Sequence, residues 1–239
     1  MTQTSAIATH DRLIFALDVP DTQRARVLVE TLGDSVTFYK VGLELFLTDG
    51  FFAFVDWLIA RDKKVFVDLK LFDVPATVAR AVSRLAERNI DFVTIHGNQA
   101  LMEAAAQAKG ERLKILAVTV LTSLDRGDLN DLGFDCDVEA LVLSRAKRAF
   151  EAGCDGIVSS GLEVAALRKQ VPDKLIAVTP GIRPVANDDD QKRVMTPTQA
   201  IVAGSDYLVV GRPIRDAADP RAAAEAIQAE ICAAVEGKP

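Results

Sequence analysis

Eight short apolar segments recur along the 239-residue chain, and they constrain its fold more than any other feature. Each is a near-continuous run of aliphatic or aromatic residues, which is typical of parallel strands whose outer face is covered. The predicted strands are residues 13–19, 38–42, 64–70, 92–97, 113–121, 156–160, 175–182 and 207–214. A chain that repeats this element eight times favours a closed parallel sheet.

Segments with helical periodicity lie between these strands, as at residues 74–88, 100–109, 138–152 and 222–235. Eight strand–helix repeats in a chain of this length predict an α/β fold, a (β/α)₈ TIM barrel, rather than an open doubly wound sheet. No Gly-x-Gly-x-x-Gly follows the first strand, which argues against a dinucleotide-binding fold. No linker divides the chain. We therefore expect a flexible tail at residues 1–10 and a single barrel domain at residues 11–239.

Charge and cysteine content exclude several classes of function. Twenty-eight Lys and Arg residues against 34 Asp and Glu give a net charge of −6, which argues against general binding of nucleic acid or anionic membranes. Three scattered cysteines form no metal or disulfide pattern, and no apolar run predicts a signal peptide or a membrane span. We expect a soluble cytoplasmic protein.

The third predicted strand ends in the charged sequence Asp68-Leu69-Lys70-Leu71-Phe72-Asp73. Asp68 and Lys70 are two residues apart and so share one face of the strand. Charged groups are rarely buried unless paired, and such clusters are enriched at functional sites. Two interpretations remain open at this point, a catalytic cluster and a structural ion pair at a strand end.

Other polar residues also stand at predicted strand ends, where barrel enzymes build their active sites. They are Asp18 after the first strand, Lys40 in the second, His96 in the fourth and Thr122 after the fifth. Each could be a hydrogen-bonded strand end. Two lysines and two aspartates at one barrel mouth would, however, be costly to desolvate without a function.

A phosphate site is predicted beyond the last two strands. Gly181 precedes Arg183 closely, and Gly211 precedes Arg212. Glycine lets an anion approach backbone N–H groups, and arginine offers a planar fork for phosphate oxygens. Barrels often bind phosphate between these two loops.

Two predicted loops are longer than the others, at residues 123–137 and 183–195. Both follow carboxyl ends of strands and so lie on the face where the site is expected. The second contains Asn187-Asp188-Asp189-Asp190, which is too polar to pack. It is either a mobile lid or an ordinary solvated loop.

The residues 68–77, read as Asp-Leu-Lys-Leu-Phe-Asp-Val-Pro-Ala-Thr, closely resemble the D-x-K-x-x-D-I-P-x-T signature of the orotidine 5′-monophosphate decarboxylase family. The resemblance covers essentially the whole chain in the family's order. It includes the segments around Asp18, Lys40 and Thr122, then Thr179-Pro180-Gly181-Ile182-Arg183, Gln191 and Val210-Gly211-Arg212-Pro213. Phe72 departs from the histidine of many members.

The resemblance implies a role for each matching residue. Lys40, Asp68, Lys70 and Asp73 would form a charged catalytic tetrad, with Lys70 as the proton donor. The sites would be shared across a homodimer, with Asp73 and Thr77 reaching into the partner's site. For substrate binding, it implies Asp18 and Lys40 at ribose hydroxyls, Thr122 at the ligand, Gln191 between pyrimidine and phosphate, and Arg183, Gly211 and Arg212 at phosphate.

The implied reaction converts orotidine 5′-phosphate (OMP) to uridine 5′-phosphate (UMP) and carbon dioxide, with neither a cofactor nor a metal. Two alternatives stay open. A related barrel lyase would act on a sugar phosphate, as 3-keto-gulonate 6-phosphate decarboxylase or hexulose phosphate synthase does with a divalent metal. A non-catalytic nucleotide sensor could also use this scaffold, although it would have no need of the tetrad.

Overall fold

Eight parallel strands close into a barrel in chain order in the computed structural model, which describes residues 7–172, 174–184 and 194–237. Each strand pairs with its sequence neighbour, and β1 pairs with β8 to close the ring. The strands are β1 Leu13–Ala16, β2 Phe38–Gly42, β3 Lys64–Leu71, β4 Phe92–Ile95, β5 Lys114–Val118, β6 Gly156–Val158, β7 Ile176–Thr179 and β8 Tyr207–Val210.

Helices follow the strands and cover the outside of the barrel. They are α1 Thr22–Leu32, α2 Leu43–Phe46, α3 Phe51–Ile59, α4 Pro75–Ala86, α5 Gln99–Ala108, α6 Arg126–Asp131, α7 Val138–Glu151, α8 Gly161–Gln170, α9 Pro197–Ala203, α10 Arg212–Arg215 and α11 Pro220–Glu236. Short 3₁₀ turns lie at Thr9–Arg12 and Gly33–Ser35. This arrangement confirms the predicted (β/α)₈ barrel.

Alternate residues of the strands fill the barrel interior with apolar side chains. Phe38, Phe66, Phe92 and Tyr207 are nearly completely buried there, and the Phe38 and Phe92 rings lie 5.0 Å apart. The residues between them face the helices and form the larger outer core. The interior is therefore packed at this level, and open space for a ligand can begin only above it.

Local sequence explains where several elements start. Thr196 and Asp219 cap α9 and α11 through their side chains, and each is followed by proline at the first helical position. The loop predicted at residues 123–137 contains the helix α6, whose capping box uses Asp125 and Asp128. Most strands end two to four residues before their predicted limits because apolar residues continue into the buried loops.

The chain enters the barrel from its amino-terminal end. Ile7 packs against the interior cluster, and the turn Thr9–Arg12 leads directly into β1. Residues 1–6 lie outside the described residues, so the flexibility of the tail stays a prediction. Among the helices that the structure describes, none has the length and hydropathy needed to cross a membrane.

Candidate active site

A cavity of about 460 Å³ opens at the carboxyl-terminal end of the strands, a size typical of small-molecule sites. Its floor is apolar and contains Ala16, Phe66, Val118, Val158 and Val209. Its polar wall includes all the cavity-facing residues of the sequence prediction, namely Asp18, Lys40, Asp68, Lys70, Thr122, Arg183, Gly211 and Arg212. Residues from six strands or strand-end loops thus converge on one space.

Lys40 reaches this space from inside the barrel. It follows the inward-facing Phe38 by two residues and stands opposite the small Ala16 in the strand register, so its side chain can rise towards the mouth. Gly42 leaves room for the ammonium group, since a Cβ there would lie 3.3 Å from Lys40 Nζ. The Lys40 side chain is only 11% exposed.

Asp68 lies between the two lysines. Its Oδ1 is 2.9 Å from Lys70 Nζ and its Oδ2 is 3.5 Å from Lys40 Nζ. Lys40 Nζ also contacts Asp18 Oδ1 at 3.0 Å. The result is a continuous chain of alternating charges, Asp18–Lys40–Asp68–Lys70, in which the Lys70 side chain keeps 33% exposure towards the cavity.

Burial and charge act in opposite directions on the two central groups. Burial would raise the pKa of Asp68, but the charges of Lys40 and Lys70 outweigh it and hold that pKa below its ordinary value. Burial would lower the pKa of Lys40, but the carboxylates of Asp68 and Asp18 hold it above its ordinary value. Both groups therefore stay ionised at neutral pH.

The backbone at Lys70 departs from a regular strand. Lys70 has a φ of +50°, a left-handed conformation that is uncommon for residues other than glycine. The pairing of β3 with β4 also shifts here, since Val67 pairs with Val93 whereas Leu71 pairs with Ile95. This bulge was not predicted from the sequence. It changes the direction of the backbone after Asp68 and therefore the direction of the Lys70 side chain.

Thr94 on β4 was missed by sequence reasoning. Its Oγ1 lies 2.9 Å from the Lys70 backbone nitrogen and 2.8 Å from Asp68 Oδ1, and the residue is completely buried. A signal existed in the sequence, because Thr94 is two residues beyond the inward-facing Phe92 and so points into the barrel.

The predicted phosphate residues line the part of the cavity formed by the loops after β7 and β8. Gly181 has a φ of +77°, a conformation that favours glycine, and the turn it makes carries Arg183 into the wall, where the residue is 6% exposed. Arg212 begins α10 directly after Gly211. Together these residues present guanidinium groups and a backbone turn to the cavity.

Arg215 is a second residue that the sequence prediction missed. Its guanidinium donates to the Asp18 backbone oxygen at 2.8 Å and to both carboxylate oxygens of Asp216. It thereby ties α10 to the loop after β1. No sequence signal indicates this contact, because it depends on the closure of the barrel between β8 and β1.

Asp73 and Thr77 lie apart from the other predicted residues. Asp73 is exposed and accepts the Val74 N–H at 2.6 Å, and Thr77 accepts a bond from Arg80 on α4. Neither lines the cavity of its own barrel among the residues that the structure describes. The His96 ring packs against Phe72 with centroids 5.8 Å apart. Gln191 falls in residues 185–193, which lie outside the described residues.

Chemically, the cavity offers a cation held beside an anion, an apolar floor and two arginines from the loops after β7 and β8. Such an arrangement can stabilise negative charge that develops near Lys70 while it holds a remote anion. It can also supply a proton from the Lys70 ammonium group to a reacting atom.

Comparison with known proteins agrees with this chemistry. A sequence model described as the orotidine 5′-phosphate decarboxylase / HUMPS family matches residues 11–227. The orotidine 5′-phosphate decarboxylase of Methylococcus capsulatus is 66% identical over 94% of this chain and 93% of its own length. That of Nitrobacter winogradskyi is 52% identical, with 94% of each chain covered. The crystal structure of the Lactobacillus acidophilus enzyme superposes with a TM-score of 0.82 at 38% identity, covering 92% of this chain and 99% of that one. The chain belongs to the orotidine 5′-phosphate decarboxylase / HUMPS family.

Proposed function

We propose that this protein decarboxylates OMP to UMP and carbon dioxide, the last step of de novo UMP synthesis. The observation that carries the proposal is the charged chain Asp18–Lys40–Asp68–Lys70 at the edge of a cavity that Arg183 and Arg212 also line. The two relatives compared above, which are more than 50% identical to this chain, are named orotidine 5′-phosphate decarboxylase.

The reaction breaks the bond between C6 of the pyrimidine and its carboxylate. The electron pair stays at C6 in an orbital orthogonal to the ring π system, so resonance cannot spread it. The Lys70 ammonium group stabilises this charge as it develops and then transfers its proton to C6. Carbon dioxide leaves, and solvent returns a proton to Lys70.

Asp68 and Lys40 prepare this arrangement before substrate arrives. Asp68 keeps its negative charge because the pKa of its carboxyl is held low, and it holds the Lys70 ammonium group in place through a 2.9 Å contact. Fixed charges of this kind need no reorganisation during the reaction. Lys40 and Asp18 are assigned to the ribose hydroxyls.

The remaining residues bind the rest of the nucleotide. Arg183, Gly211 and Arg212 bind the phosphate, which supplies binding energy remote from the reacting bond. Thr122 follows the fifth strand and lines the cavity, and it is assigned to contact the ligand. Gln191 is assigned to the bridge between pyrimidine and phosphate.

We also propose that the functional unit is a homodimer in which Asp73 and Thr77 serve the partner's site. Support comes from their position outside their own cavity and from the exposed apolar side chains around them. Phe72 is 71% exposed and Val74 62%, and two exposed apolar side chains on either side of Asp73 favour contact with another protein. A second copy would cover them and bring the missing carboxylate to the site.

Mixing subunits tests the shared site. Lys70→Ala and Asp73→Ala proteins should each be inactive, and random exchange between them should restore about a quarter of wild-type activity, since half of the dimers then hold one intact site. Failure to recover activity after mass spectrometry has confirmed subunit exchange would contradict the shared site.

The loss of OMP ultraviolet absorbance after addition of metal-free protein tests the reaction itself. Turnover that persists in EDTA is expected. No turnover of OMP, together with turnover of a sugar phosphate that EDTA abolishes and Mg²⁺ restores, would instead favour a sugar-phosphate lyase of the same family. Nucleotide binding without any turnover would favour a sensor. Product analysis for UMP completes the assignment.

A further inference from the structure

The Thr94 hydroxyl contacts both Lys70 and Asp68, the two residues at the cavity end of the charged chain. It lies 2.9 Å from the Lys70 backbone nitrogen and 2.8 Å from Asp68 Oδ1, while Lys70 Nζ contacts that same Oδ1 at 2.9 Å. These three bonds close a ring that runs through the backbone nitrogen and side chain of Lys70, the carboxylate of Asp68 and the hydroxyl of Thr94.

The direction of each bond in this ring is fixed by chemistry. A backbone N–H can only donate, so Thr94 Oγ1 accepts from Lys70. An ionised carboxylate can only accept, so the one hydroxyl proton goes to Asp68. The low pKa of Asp68 keeps it in the accepting form. The Thr94 hydroxyl therefore accepts one hydrogen bond from Lys70 and donates one to Asp68.

The unusual backbone at Lys70 explains why a side chain is needed here. The register shift between β3 and β4 interrupts the ladder between Val67 and Leu71, and Lys70 has a φ of +50°. The strained residue sits where its N–H finds a side-chain acceptor in place of a strand partner. Strained conformations persist when surrounding contacts hold them, and they concentrate at functional sites.

We propose that Thr94 is a positioning residue for decarboxylation, which holds the Lys70 backbone in its left-handed conformation and fixes the Asp68 carboxylate that orients the Lys70 ammonium group. This inference rests on the proposed function. Thr94 does not itself touch the reacting atoms. It acts on the transition state through two other groups, so its loss should lower kcat more than it raises KM.

Thr119 offers a matched control within the same chain. It follows β5, is 1% exposed and donates its hydroxyl to the Val158 backbone oxygen at 2.9 Å. Like Thr94 it is a buried threonine at the same end of the barrel, but its hydroxyl contacts no charged group. Replacement by valine removes one buried hydroxyl at either position with little change in shape.

The experiment compares Thr94→Val, Thr94→Ser and Thr119→Val in steady-state assays with OMP. We expect Thr94→Val to lower kcat by about 10- to 100-fold, the effect of one hydrogen bond to a charged group, with KM changed by less than about threefold. Thr94→Ser retains the hydroxyl and should keep kcat within about threefold of wild type. Thr119→Val should also stay close to wild type.

Hydrogen exchange at the Lys70 amide gives a second readout that does not depend on activity. In Thr94→Val this amide loses its acceptor and should exchange at least about tenfold faster than in wild type or Thr119→Val. If wild-type protein does not turn over OMP, the proposed function fails, whereas unchanged exchange at Lys70 would refute the role of Thr94.

Two further results would overturn the inference. One is a kcat for Thr94→Val that falls no further than that of Thr119→Val. The other is an equal loss in Thr94→Val and Thr94→Ser, since the hydroxyl would then be irrelevant. If Thr94→Val does not fold, Thr94→Ser is compared with Thr94→Cys, which differs by one atom and bonds weakly. Equal kcat values for that pair would contradict the proposal.

Discussion

Both ends of the barrel carry aspartates paired with lysine or arginine, but these pairs have different roles at the two ends. At the amino-terminal end, Asp91, Asp155 and Asp206 each stand directly before an even-numbered strand, β4, β6 or β8. Each accepts the backbone N–H of a residue near the start of the preceding strand, namely Val65, Ile115 or Ala177, at 2.8–2.9 Å. Each also pairs with one cation, Arg112, Lys109 or Arg168.

At the carboxyl-terminal end, the carboxylates bond chiefly to side chains. Asp68 contacts Lys40, Lys70 and Thr94, and these charges border a cavity. An ion pair alone therefore does not identify an active site in this fold. What distinguishes the two ends is that the amino-terminal carboxylates also accept a backbone N–H of the preceding strand, whereas Asp68 bonds to side chains and leaves Lys70 facing the cavity.

The largest expected effect comes from the lysines of the two ends. Lys70→Ala should lower kcat by at least about 10⁴-fold, because it removes both the proton donor and the cation beside the developing charge. Affinity for UMP, measured by calorimetry, should change little. Lys109→Ala removes a cation paired with Asp155 and should keep kcat while lowering stability. Near-normal turnover in Lys70→Ala would remove the basis of the assignment.

Arginines at the two ends should differ in their effect on substrate affinity. Arg212→Ala should raise KM for OMP by about 10- to 100-fold, since charge-assisted bonds to phosphate are lost. Arg112→Ala, whose guanidinium lies 3.5 Å from Asp91 at the other end, should leave KM unchanged. Initial-rate kinetics over a range of OMP concentrations measures both, and an unchanged KM in Arg212→Ala would count against a phosphate role.

An aspartate of the amino-terminal end should affect stability and not catalysis. Asp206→Asn weakens the contacts to Arg168 at 2.6 Å and to the Ala177 N–H at 2.9 Å, so the free energy of unfolding should fall by about 1–3 kcal/mol. Urea denaturation at fixed protein concentration measures this loss. Glu87→Gln, in an exposed pair with Arg84, should change stability by less than about 0.5 kcal/mol. A large loss of kcat in folded Asp206→Asn would blur the distinction between the two ends.

The smallest expected effect concerns acid unfolding, in which Asp68 and Asp91 should act with opposite sign. The pKa of Asp68 is lowered from 3.8, despite burial, by the charges of Lys40 and Lys70. Its contribution to stability is therefore present above that value and lost as pH falls through the folded-state pKa. Burial raises the pKa of Asp91 above 3.8, since its bond to Val65 and the charge of Arg112 do not outweigh burial. Its contribution is present below the unfolded value and lost as pH rises through the folded-state pKa.

Urea denaturation at pH values from neutral to strongly acid measures these contributions in Asp68→Asn and Asp91→Asn. Relative to wild type, the loss of stability on acidification should be shallower in Asp68→Asn and steeper in Asp91→Asn. A change of slope in the same direction in both variants would show that the pKa values of the two carboxyls are not shifted in opposite directions.

Much of the site could be predicted because its residues stand at strand ends. The inward parity of Lys40 and Asp68 follows from their spacing to Phe38 and Phe66, and the (β/α)₈ architecture brings strand ends together. Thr94 could have been found by the same rule. The bulge at Lys70 could not, because no glycine or proline marks it, and the φ of +50° depends on a bond to another strand.

The limits of the elements were less predictable than their existence. The run at residues 207–214 was predicted as one strand, yet Tyr207–Val210 is a strand and Arg212–Arg215 is a helix. The second part is Arg-Pro-Ile-Arg and buries only Ile214, so its two arginines and its proline marked the end of the strand. The change occurs where the chain leaves the barrel and α10 packs beside α11.

By itself, the sequence determined the number, order and character of the strands, since eight apolar runs separated by amphipathic segments favour a closed, helix-covered sheet over an open one. It also determined which charged residues stand at strand ends. Tertiary structure alone decided the contacts among those residues, the bulge that aims Lys70 and the bond from Arg215 to the loop after β1. These features join segments up to 197 residues apart in the chain, and their energies arise from distances that exist only once the barrel has closed.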